Sequence, residues 1–351
     1  MRPDRECISR SYRNDSICQF HNCSFTCYFY FSGGDLVIVC TTPDLSDELK
    51  ETLAAQTQLR VHQKKIAELG ARDKEETEIL ITYGNFEDAV TVEELEQLPN
   101  LKWIHVLSSG TEQLPANYTK EQSILVTSSK GIHAIPISEY VIAALLYFAK
   151  RIPDFRRLQE RMQWSYSEEM FEIHEKTLAV LGTGYIGSEI AKKAKALGVN
   201  VIGVNRSGRD TDGFDRIVKM KRLKEILPDC DYVCSALPST EETRNLIDHG
   251  MIRHMKEEVV FINVGRGDLV VEEDLIQALQ SGKIAGAALD VFREEPLENG
   301  HPFWRMENVL VTPHASARTS RYMERALSIF LNNFSHFRNG ETGNLANKVS
   351  F

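Results

Sequence analysis

Residues 177–197, TLAVLGTGYIGSEIAKKAKAL, contain the pattern that decides the fold. The first five residues are typical of a buried strand, the glycine-rich turn GTGYIG follows at once, and a helical pattern continues to the end. A GxGxxG turn alone is a weak signal, but between a strand and a helix in a βαβ unit it strongly indicates dinucleotide binding. Gly182 permits the tight turn, Gly184 lets the backbone approach a pyrophosphate, and Gly187 allows close packing of helix on strand.

The helix after this turn indicates where an anion would bind. The N–H groups of its first turn, those of Tyr185 and Ile186 among them, have no partner within the helix and favour a phosphate. A glycine-rich turn that binds no ligand is the alternative interpretation.

The residues after the next strand bear on the choice of cofactor. Asn205, Arg206 and Ser207 stand where an NAD-binding fold usually has an Asp or Glu that binds the ribose 2′-hydroxyl. Without that carboxylate a 2′-phosphate is not repelled, and the Arg206 guanidinium can pair with it through two N–H groups. We therefore expect NADP(H) to be preferred, with NAD(H) possible as a cofactor. A solvated Arg206 that stacks on the adenine is the alternative.

From residue 36 onward, short strand patterns alternate with helical ones, which favours an α/β fold with a parallel sheet. A helix over 46–56 follows Ser46, a typical N-cap residue. A long helical region over 137–162 is expected to bend near Pro153, and a last helix over 320–337 carries its apolar side chains on one face. Strands are predicted at 36–41, 59–62, 78–82, 103–107, 177–181, 200–204, 231–235, 259–263, 285–290 and 309–311.

Length and composition are those of a globular protein with two domains. The chain has 351 residues, of which 42% are hydrophobic and 26% charged, and a domain has roughly 150 residues. With 41 basic and 50 acidic residues the net charge is −9, which disfavours nucleic acid and anionic membranes as partners. The most apolar run, 140–149, is far shorter than the roughly 20 residues of a membrane span. No signal-peptide pattern is present, so we expect a cytoplasmic protein.

The N-terminal segment is unlike the rest of the chain. Cys18, His21, Cys23 and Cys27 have suitable side chains for a metal, but their spacing matches no structural zinc pattern. We expect no metal site, and we expect residues 1–35, which lack periodicity, to lie outside the folded protein as a disordered or non-native extension. The cysteines that stand in apolar segments, as buried reduced thiols do, are Cys40, Cys230 and Cys234.

Three polar clusters each follow a predicted strand in the second half of the chain, where open α/β sheets bind ligands. They are NVGRG at 263–267, DVFREEPL at 290–297 and TPHAS at 312–316. Singly, each can be structural. Together they supply a cation that can bind the substrate carboxylate, an acid that can protonate the forming alkoxide, and a carboxylate side chain that keeps this acid charged. Reduction of a 2-oxo acid needs all three.

These motifs, in this order, resemble the D-isomer-specific 2-hydroxyacid dehydrogenase family over residues 36–351. The resemblance rests on the glycine turn, on ALP at 236–238 with ET at 242–243, and on the three clusters. It implies two Rossmann-like α/β domains, each a doubly wound parallel sheet. The substrate domain, flavodoxin-like and discontinuous, would comprise 36–132 plus 318–351, and the dinucleotide-binding domain 133–317.

The resemblance also implies roles for individual residues. Arg266 would bind the carboxylate and carbonyl oxygens of the substrate, His314 would be the acid in reduction and the base in oxidation, and Glu295 would keep His314 charged. In the substrate pocket, the backbone N–H groups of the loop 108–111, which contains Ser109 and Gly110, would grip the carboxylate, and Tyr83 with the neighbouring Asn85 would form a second wall. Asp290 would face the nicotinamide amide, and the coenzyme cleft would be lined by Leu237, Pro238, Thr243 and Val264.

The sequence therefore predicts an NAD(P)-dependent oxidoreductase that acts on the CH–OH group of donors and interconverts a small 2-oxo acid and a D-2-hydroxy acid. A dinucleotide-sensing, co-repressor-like binding protein of the same fold is the alternative, because such proteins retain the Arg–Glu–His set. The resemblance further implies a homodimer, with the helix over 137–149 as part of its contact.

Overall fold

A computed structural model describes residues 36–84, 89–111, 113–165 and 169–350 of the chain. The segment 1–35, with its four cysteines, and Asn85 lie outside the described residues, so the expectations for them stay predictions.

The first sheet has five parallel strands in the order β2-β1-β3-β4-β5. This is the flavodoxin-like order, with a topological switch point between β1 and β3. Ser46 caps the first helix, as predicted, by accepting a hydrogen bond from the Leu49 N–H. The elements are β1 (Val37–Cys40), α1 (Asp47–Thr57), β2 (Arg60–Gln63), α2 (Ala71–Glu76), β3 (Thr77–Thr82), α3 (Val92–Leu95), β4 (Trp103–Val106), α4 (Ala116–Glu121) and β5 (Leu125–Ser128).

Two helices, α5 (Ala134–Ala149) and α6 (Ile152–Glu160), follow the first sheet. The predicted bend near Pro153 is confirmed, because the chain turns just before it, at Arg151, whose backbone is left-handed with φ 52°. Pro153 lies in the first turn of α6, where its missing N–H breaks no helical hydrogen bond.

The second sheet has seven parallel strands in the order β12-β11-β10-β9-β6-β7-β8. Its strand order reverses between β6 and β9, which is the switch point of the doubly wound dinucleotide-binding fold. The elements are β6 (Thr177–Leu181), α7 (Tyr185–Ala196), β7 (Asn200–Asn205), β8 (Arg216–Lys219), α8 (Leu223–Ile226), β9 (Tyr232–Ser235), α9 (His249–Ile252), β10 (Val259–Asn263), α10 (Glu272–Ser281), β11 (Ile284–Leu289) and β12 (Val309–Val311).

The last helix, α11 (Tyr322–Arg338), returns to the first sheet. Its Phe330 stacks on Trp103 of β4 with ring centroids 4.7 Å apart, and both side chains are fully buried. Beyond it, Lys348 pairs antiparallel with Thr127 of the edge strand β5. The C-terminal residues therefore pack on the first sheet, as a discontinuous domain requires. The domain boundaries at residues 132 and 318 stay a prediction.

The cysteines of the described segments, Cys40, Cys230 and Cys234, are buried and form no disulfide with one another, as predicted, and burial raises the pKa of the Cys230 thiol to about 12. No helix within the described ranges is long and apolar enough to cross a membrane.

Candidate active site

The glycine turn joins β6 to α7 and leaves space at its centre. Gly182 has φ 102°, and a Cβ there would lie 2.9 Å from the Ala236 carbonyl oxygen. A Cβ on Gly187 would overlap the Gly182 carbonyl, whereas one on Gly184 would meet no protein atom within 4 Å. Since Gly184 is also the N-cap of α7, the turn presents free N–H groups to an open space that fits a pyrophosphate.

The turn after β7 is organised by Asn205. Its side-chain amide donates to Thr183 Oγ1 at 3.0 Å and to the Arg209 carbonyl at 2.9 Å, and its Oδ1 accepts from the Gly208 N–H at 2.6 Å. Ser207 Oγ accepts from the Arg209 N–H at 3.1 Å. These bonds shape the turn and leave the Arg206 side chain 87% exposed.

Arg206 faces a carboxylate of the loop that follows β9. Its Nη1 lies 4.0 Å from Glu242 Oε2, and the Glu242 side chain is 72% exposed. An exposed pair at this distance is weak, so the guanidinium can turn towards another anion.

The predicted cleft residues around β9 and β10 differ in what their side chains do. Leu237 and Val264 are buried, whereas Pro238 is exposed. The Thr243 hydroxyl donates to the Pro238 carbonyl at 2.7 Å and accepts from the Thr240 N–H at 2.8 Å. Thr243 therefore shapes the turn that carries Pro238.

His314 and Glu295 come together from the loops that follow β12 and β11. His314 Nδ1 lies 2.8 Å from Glu295 Oε2, and the side chains are 49% and 37% exposed. The other oxygen of Glu295 accepts from the Phe292 N–H at 3.0 Å, which fixes the carboxylate. Because Glu295 occupies Nδ1, the second ring nitrogen of His314 is the one left for a ligand.

Arg266 lies on the loop after β10, at the same edge of the sheet. Asn263 braces this loop, since its amide accepts from the Gly265 N–H at 3.1 Å and donates to the Arg266 carbonyl at 3.0 Å. A Cβ on Gly267 would overlap the Phe292 backbone, so the loop packs directly on the one that carries Glu295. The Arg266 side chain is exposed, with Nη1 2.7 Å from the Gly265 carbonyl.

Asp290 is buried beneath this edge, and its carboxylate binds the loop that carries His314. It accepts from Thr312 Oγ1 at 2.6 Å, from the Ala315 N–H at 2.8 Å and from the Ser316 N–H at 3.0 Å. His314 between them has a left-handed backbone, φ 48°, which is strained in a residue other than glycine. The Asp290 bonds stabilise that conformation, a role that sequence reasoning missed.

A tyrosine of α5 extends this network. The Tyr140 hydroxyl lies 3.0 Å from Thr312 Oγ1, and burial raises the pKa of Tyr140 to about 12.

The predicted substrate residues lie at the corresponding edge of the first sheet. Ser108 Oγ donates to the Gly110 carbonyl at 2.7 Å, and Ser109 Oγ lies 3.2 Å from His133 Nδ1. Tyr83, after β3, donates its hydroxyl hydrogen bond to Met323 Sδ at 3.5 Å, and burial raises the pKa of its phenol. The loop 107–110 and Tyr83 are thus neighbours of α11.

Comparison with known proteins bears on the identity of this site. The sequence pattern of the D-isomer specific 2-hydroxyacid dehydrogenase, NAD binding domain, matches residues 142–316. A glyoxylate reductase of Aeropyrum pernix is 32% identical over 275 residues, which cover 76% of this chain and 82% of that protein. The chain belongs to the D-isomer specific 2-hydroxyacid dehydrogenase family.

Other family members show how far the likeness extends. A D-3-phosphoglycerate dehydrogenase of Archaeoglobus fulgidus is 33% identical over 231 residues, but these span only 44% of that protein. The crystal structure of a D-isomer specific 2-hydroxyacid dehydrogenase from Xanthobacter autotrophicus, in complex with NADPH and MES, matches with a TM-score of 0.70 and 28% identity. That match covers 90% of this chain and 98% of the other.

The family membership confirms the two-domain α/β fold and an NAD(P)-dependent 2-hydroxyacid dehydrogenase activity at the level of the family. The co-repressor-like alternative is not favoured.

Proposed function

We propose that this 2-hydroxyacid dehydrogenase is an NADP(H)-preferring reductase of small 2-oxo acids that forms D-2-hydroxy acids. The observation that carries the proposal is the 2.8 Å contact between His314 and Glu295, with Arg266 on the loop packed beside them. This set supplies an acid, a carboxylate that orients the acid, and a cation for the substrate.

Arg266 binds and orients the substrate in this mechanism. Its guanidinium pairs with the carboxylate and polarises the neighbouring carbonyl, since its planar donors suit two oxygens at once. Packing of Gly267 on the Phe292 backbone keeps the loop that carries Arg266 at the edge where His314 lies.

His314 moves the proton. Its Nδ1 is bound to Glu295, so the other ring nitrogen donates to the carbonyl oxygen as negative charge develops there. Glu295 orients the ring through Nδ1, and Asp290 holds the loop so that the ring keeps its place. When bound, the dinucleotide supplies a hydride to the carbonyl carbon.

The glycine turn and the turn after β7 would hold the dinucleotide. The N–H groups of Tyr185 and Ile186 would receive the pyrophosphate, with Gly184 leaving room for it. Arg206 would pair with a 2′-phosphate, because no acid at 205 repels it. The NADPH complex of the Xanthobacter autotrophicus relative supports the preference for NADP(H).

The substrate is proposed to be a short 2-oxo acid such as glyoxylate or hydroxypyruvate. The glyoxylate reductase of Aeropyrum pernix supports this choice. The backbone N–H groups of Ser109 and Gly110 would bind the carboxylate opposite Arg266, with Tyr83 as a wall of the pocket.

We also infer a homodimer, now with a more specific contact. Most apolar side chains of α5 are either buried in the core or partly buried against it, so α5 contributes less surface than the sequence suggested. Large exposed apolar side chains lie instead on α6 and the segment after it: Ile152, Met162, Trp164, Met170 and Phe171. Light scattering of the purified protein tests the proposal, and a monomeric mass would contradict it.

The activity is tested by initial rates with glyoxylate, hydroxypyruvate, pyruvate, phenylpyruvate and 2-oxoisocaproate, each with NADPH and with NADH. We expect turnover of the short acids, with NADPH ahead. Turnover with NADH ahead would keep the reaction and contradict the role of Arg206. No turnover by protein that binds a dinucleotide would overturn the proposed reaction.

A further inference from the structure

The chain crosses between the two sheets twice, and each crossing contacts the same loop. The first crossing ends at His133, which is the N-cap of α5, and the second leads into Tyr322, the first residue of α11. The loop is 107–110, which follows β4 and contains Ser109 and Gly110.

His133 holds the tip of this loop. Its Nδ1 lies 3.2 Å from the Ser109 hydroxyl, and the ring is partly buried. Burial lowers the pKa of His133, which favours a neutral ring at neutral pH, and a neutral ring has one donor and one acceptor nitrogen. The contact with Ser109 is therefore a hydrogen bond between uncharged groups.

Tyr322 holds the base of the loop. Its hydroxyl donates to the Leu107 carbonyl at 3.0 Å, and its ring lies 5.6 Å from the His133 ring and 6.0 Å from the Tyr83 ring, centroid to centroid. The three rings form one cluster between the two crossings.

The rest of the loop is braced from β5. The Ser129 N–H donates to the Ser108 carbonyl at 3.1 Å, and Ser108 Oγ donates to the Gly110 carbonyl. The Ser109 side chain, in contrast, is exposed at the tip, and His133 is its hydrogen-bond partner among the described residues. The shape of the tip thus depends on His133 more than on the sheet.

We propose that His133 is a positioning residue for the 2-oxo acid: through Ser109 it holds the loop 107–110 in the shape that binds the substrate carboxylate, while Tyr322 holds the base. The inference rests on the proposed function, and it adds a residue that acts through Ser109 and belongs neither to the Arg–Glu–His set nor to the glycine turn. It also makes substrate binding depend on the relative position of the two crossings.

Two substitutions separate the hydrogen bond from the volume of the ring. His133→Asn places a polar side-chain atom near the position of Nδ1, whereas His133→Gln places it near that of the other nitrogen. Losing one neutral hydrogen bond changes an equilibrium by about three- to tenfold. We expect His133→Ala and His133→Gln to raise the KM of hydroxypyruvate by that factor, and His133→Asn to restore most of it.

The KM of NADPH should stay unchanged in all three variants, as should every constant in the control variant His254→Ala, at an exposed histidine in the turn between α9 and β10. Ser109→Ala should match His133→Ala, and the double variant should be no worse than Ser109→Ala, because both remove the same bond. Thermal melting checks that each variant is folded, and the Asn and Gln pair carries the test if His133→Ala is not.

Three results would overturn the inference: an unchanged KM of hydroxypyruvate in His133→Ala, equal rescue by Asn and Gln, or effects that multiply in the double variant. If the wild-type enzyme is active and any of these results is found in the variants, only this inference is overturned and the proposed function stands. A wild-type enzyme that reduces no 2-oxo acid overturns the proposed function and this inference with it.

Discussion

The carboxyl edges of the two sheets are built in different ways. At the edge of the seven-stranded sheet, Arg266, Glu295 and His314 sit in contiguous motifs, each directly after a strand, and buried Asp290 ties two of those motifs together. At the edge of the five-stranded sheet, the loop 107–110 is held by His133 and Tyr322, which come from elsewhere in the chain. The first edge is therefore encoded locally, and the second is assembled by the chain crossings.

This difference implies that substitutions at the two edges have different effects on the reaction and on substrate binding. A substitution in the first edge removes a reacting group, whereas one in the second moves a loop and weakens a hydrogen bond. We expect the largest kinetic losses at the first edge and smaller losses, confined to KM, at the second.

The largest effect is expected at His314. His314→Ala should lower kcat by about 100-fold or more, in line with the contribution of a positioned general acid, while the KM of NADPH stays close to its wild-type value. Steady-state rates with hydroxypyruvate measure this, with His254→Ala as the control. Turnover close to that of the wild type would remove His314 from the acid role.

Arg266 should show the next largest effect. Arg266→Lys keeps the charge but loses the paired N–H donors, and a charge-assisted hydrogen bond contributes about 1.5–3 kcal/mol. We expect kcat/KM for the 2-oxo acid to fall about ten- to hundredfold, through both a higher KM and a lower kcat. If only the affinity for NADPH changed, Arg266 would belong to the cofactor site.

The same contrast explains what could be predicted from the sequence. The strand, turn and helix at 177–197 are predicted correctly because one contiguous pattern specifies all three. The strands β5 and β8 were missed, since LVTS is short and half polar, and RIVK is an edge strand in which only Val218 is buried.

The site follows the same division. The Arg–Glu–His motifs could be found because each is a local signal, and the structure brings Glu295 and His314 into contact. The bonds of Asp290 to the His314 loop, and those of His133 and Tyr322 to the loop 107–110, join residues about 20 to 215 positions apart. Side-chain hydrogen bonds between distant segments depend on the packed structure and leave no pattern of their own in a single sequence.

A buried histidine beneath the second edge sharpens the comparison through pH. His105 of β4 is fully buried, with its ring nitrogens 2.8 Å from Thr127 Oγ1 and 3.1 Å from Ser129 Oγ, and burial lowers its pKa to about 3. The unfolded chain, with an ordinary histidine pKa of about 6.5, binds this proton and the folded chain does not. The stabilising effect of the neutral ring is thus present above pH 6.5 and is lost as the pH falls towards 3.

Below pH 6.5, His105 should make the free energy of unfolding fall by about 1.4 kcal/mol per pH unit. Urea denaturation of the wild type and of His105→Asn at pH 7.5, 6.5, 5.5 and 5.0 measures the effect, since the other titrating groups are common to both. The variant should show a shallower dependence by that amount. Parallel curves for the two proteins would mean that His105 does not link pH to stability.

The smallest effect at the edge of the seven-stranded sheet is expected at Arg206, because an exposed guanidinium gains least from pairing with an anion. Arg206→Ser should lower kcat/KM for NADPH by about tenfold, the equivalent of one charge-assisted hydrogen bond at the low end of its range, and leave kcat/KM for NADH unchanged.

Arg209→Ser, at an exposed arginine of the same turn, is the matched control. The selectivity should shift only in Arg206→Ser, since Asn205 holds the turn through its own amide and through the backbone of Arg209. An equal loss with both cofactors would assign Arg206 to the adenosine that they share, and an equal shift in both variants would mean that the charge of the turn, and no single arginine, selects the cofactor.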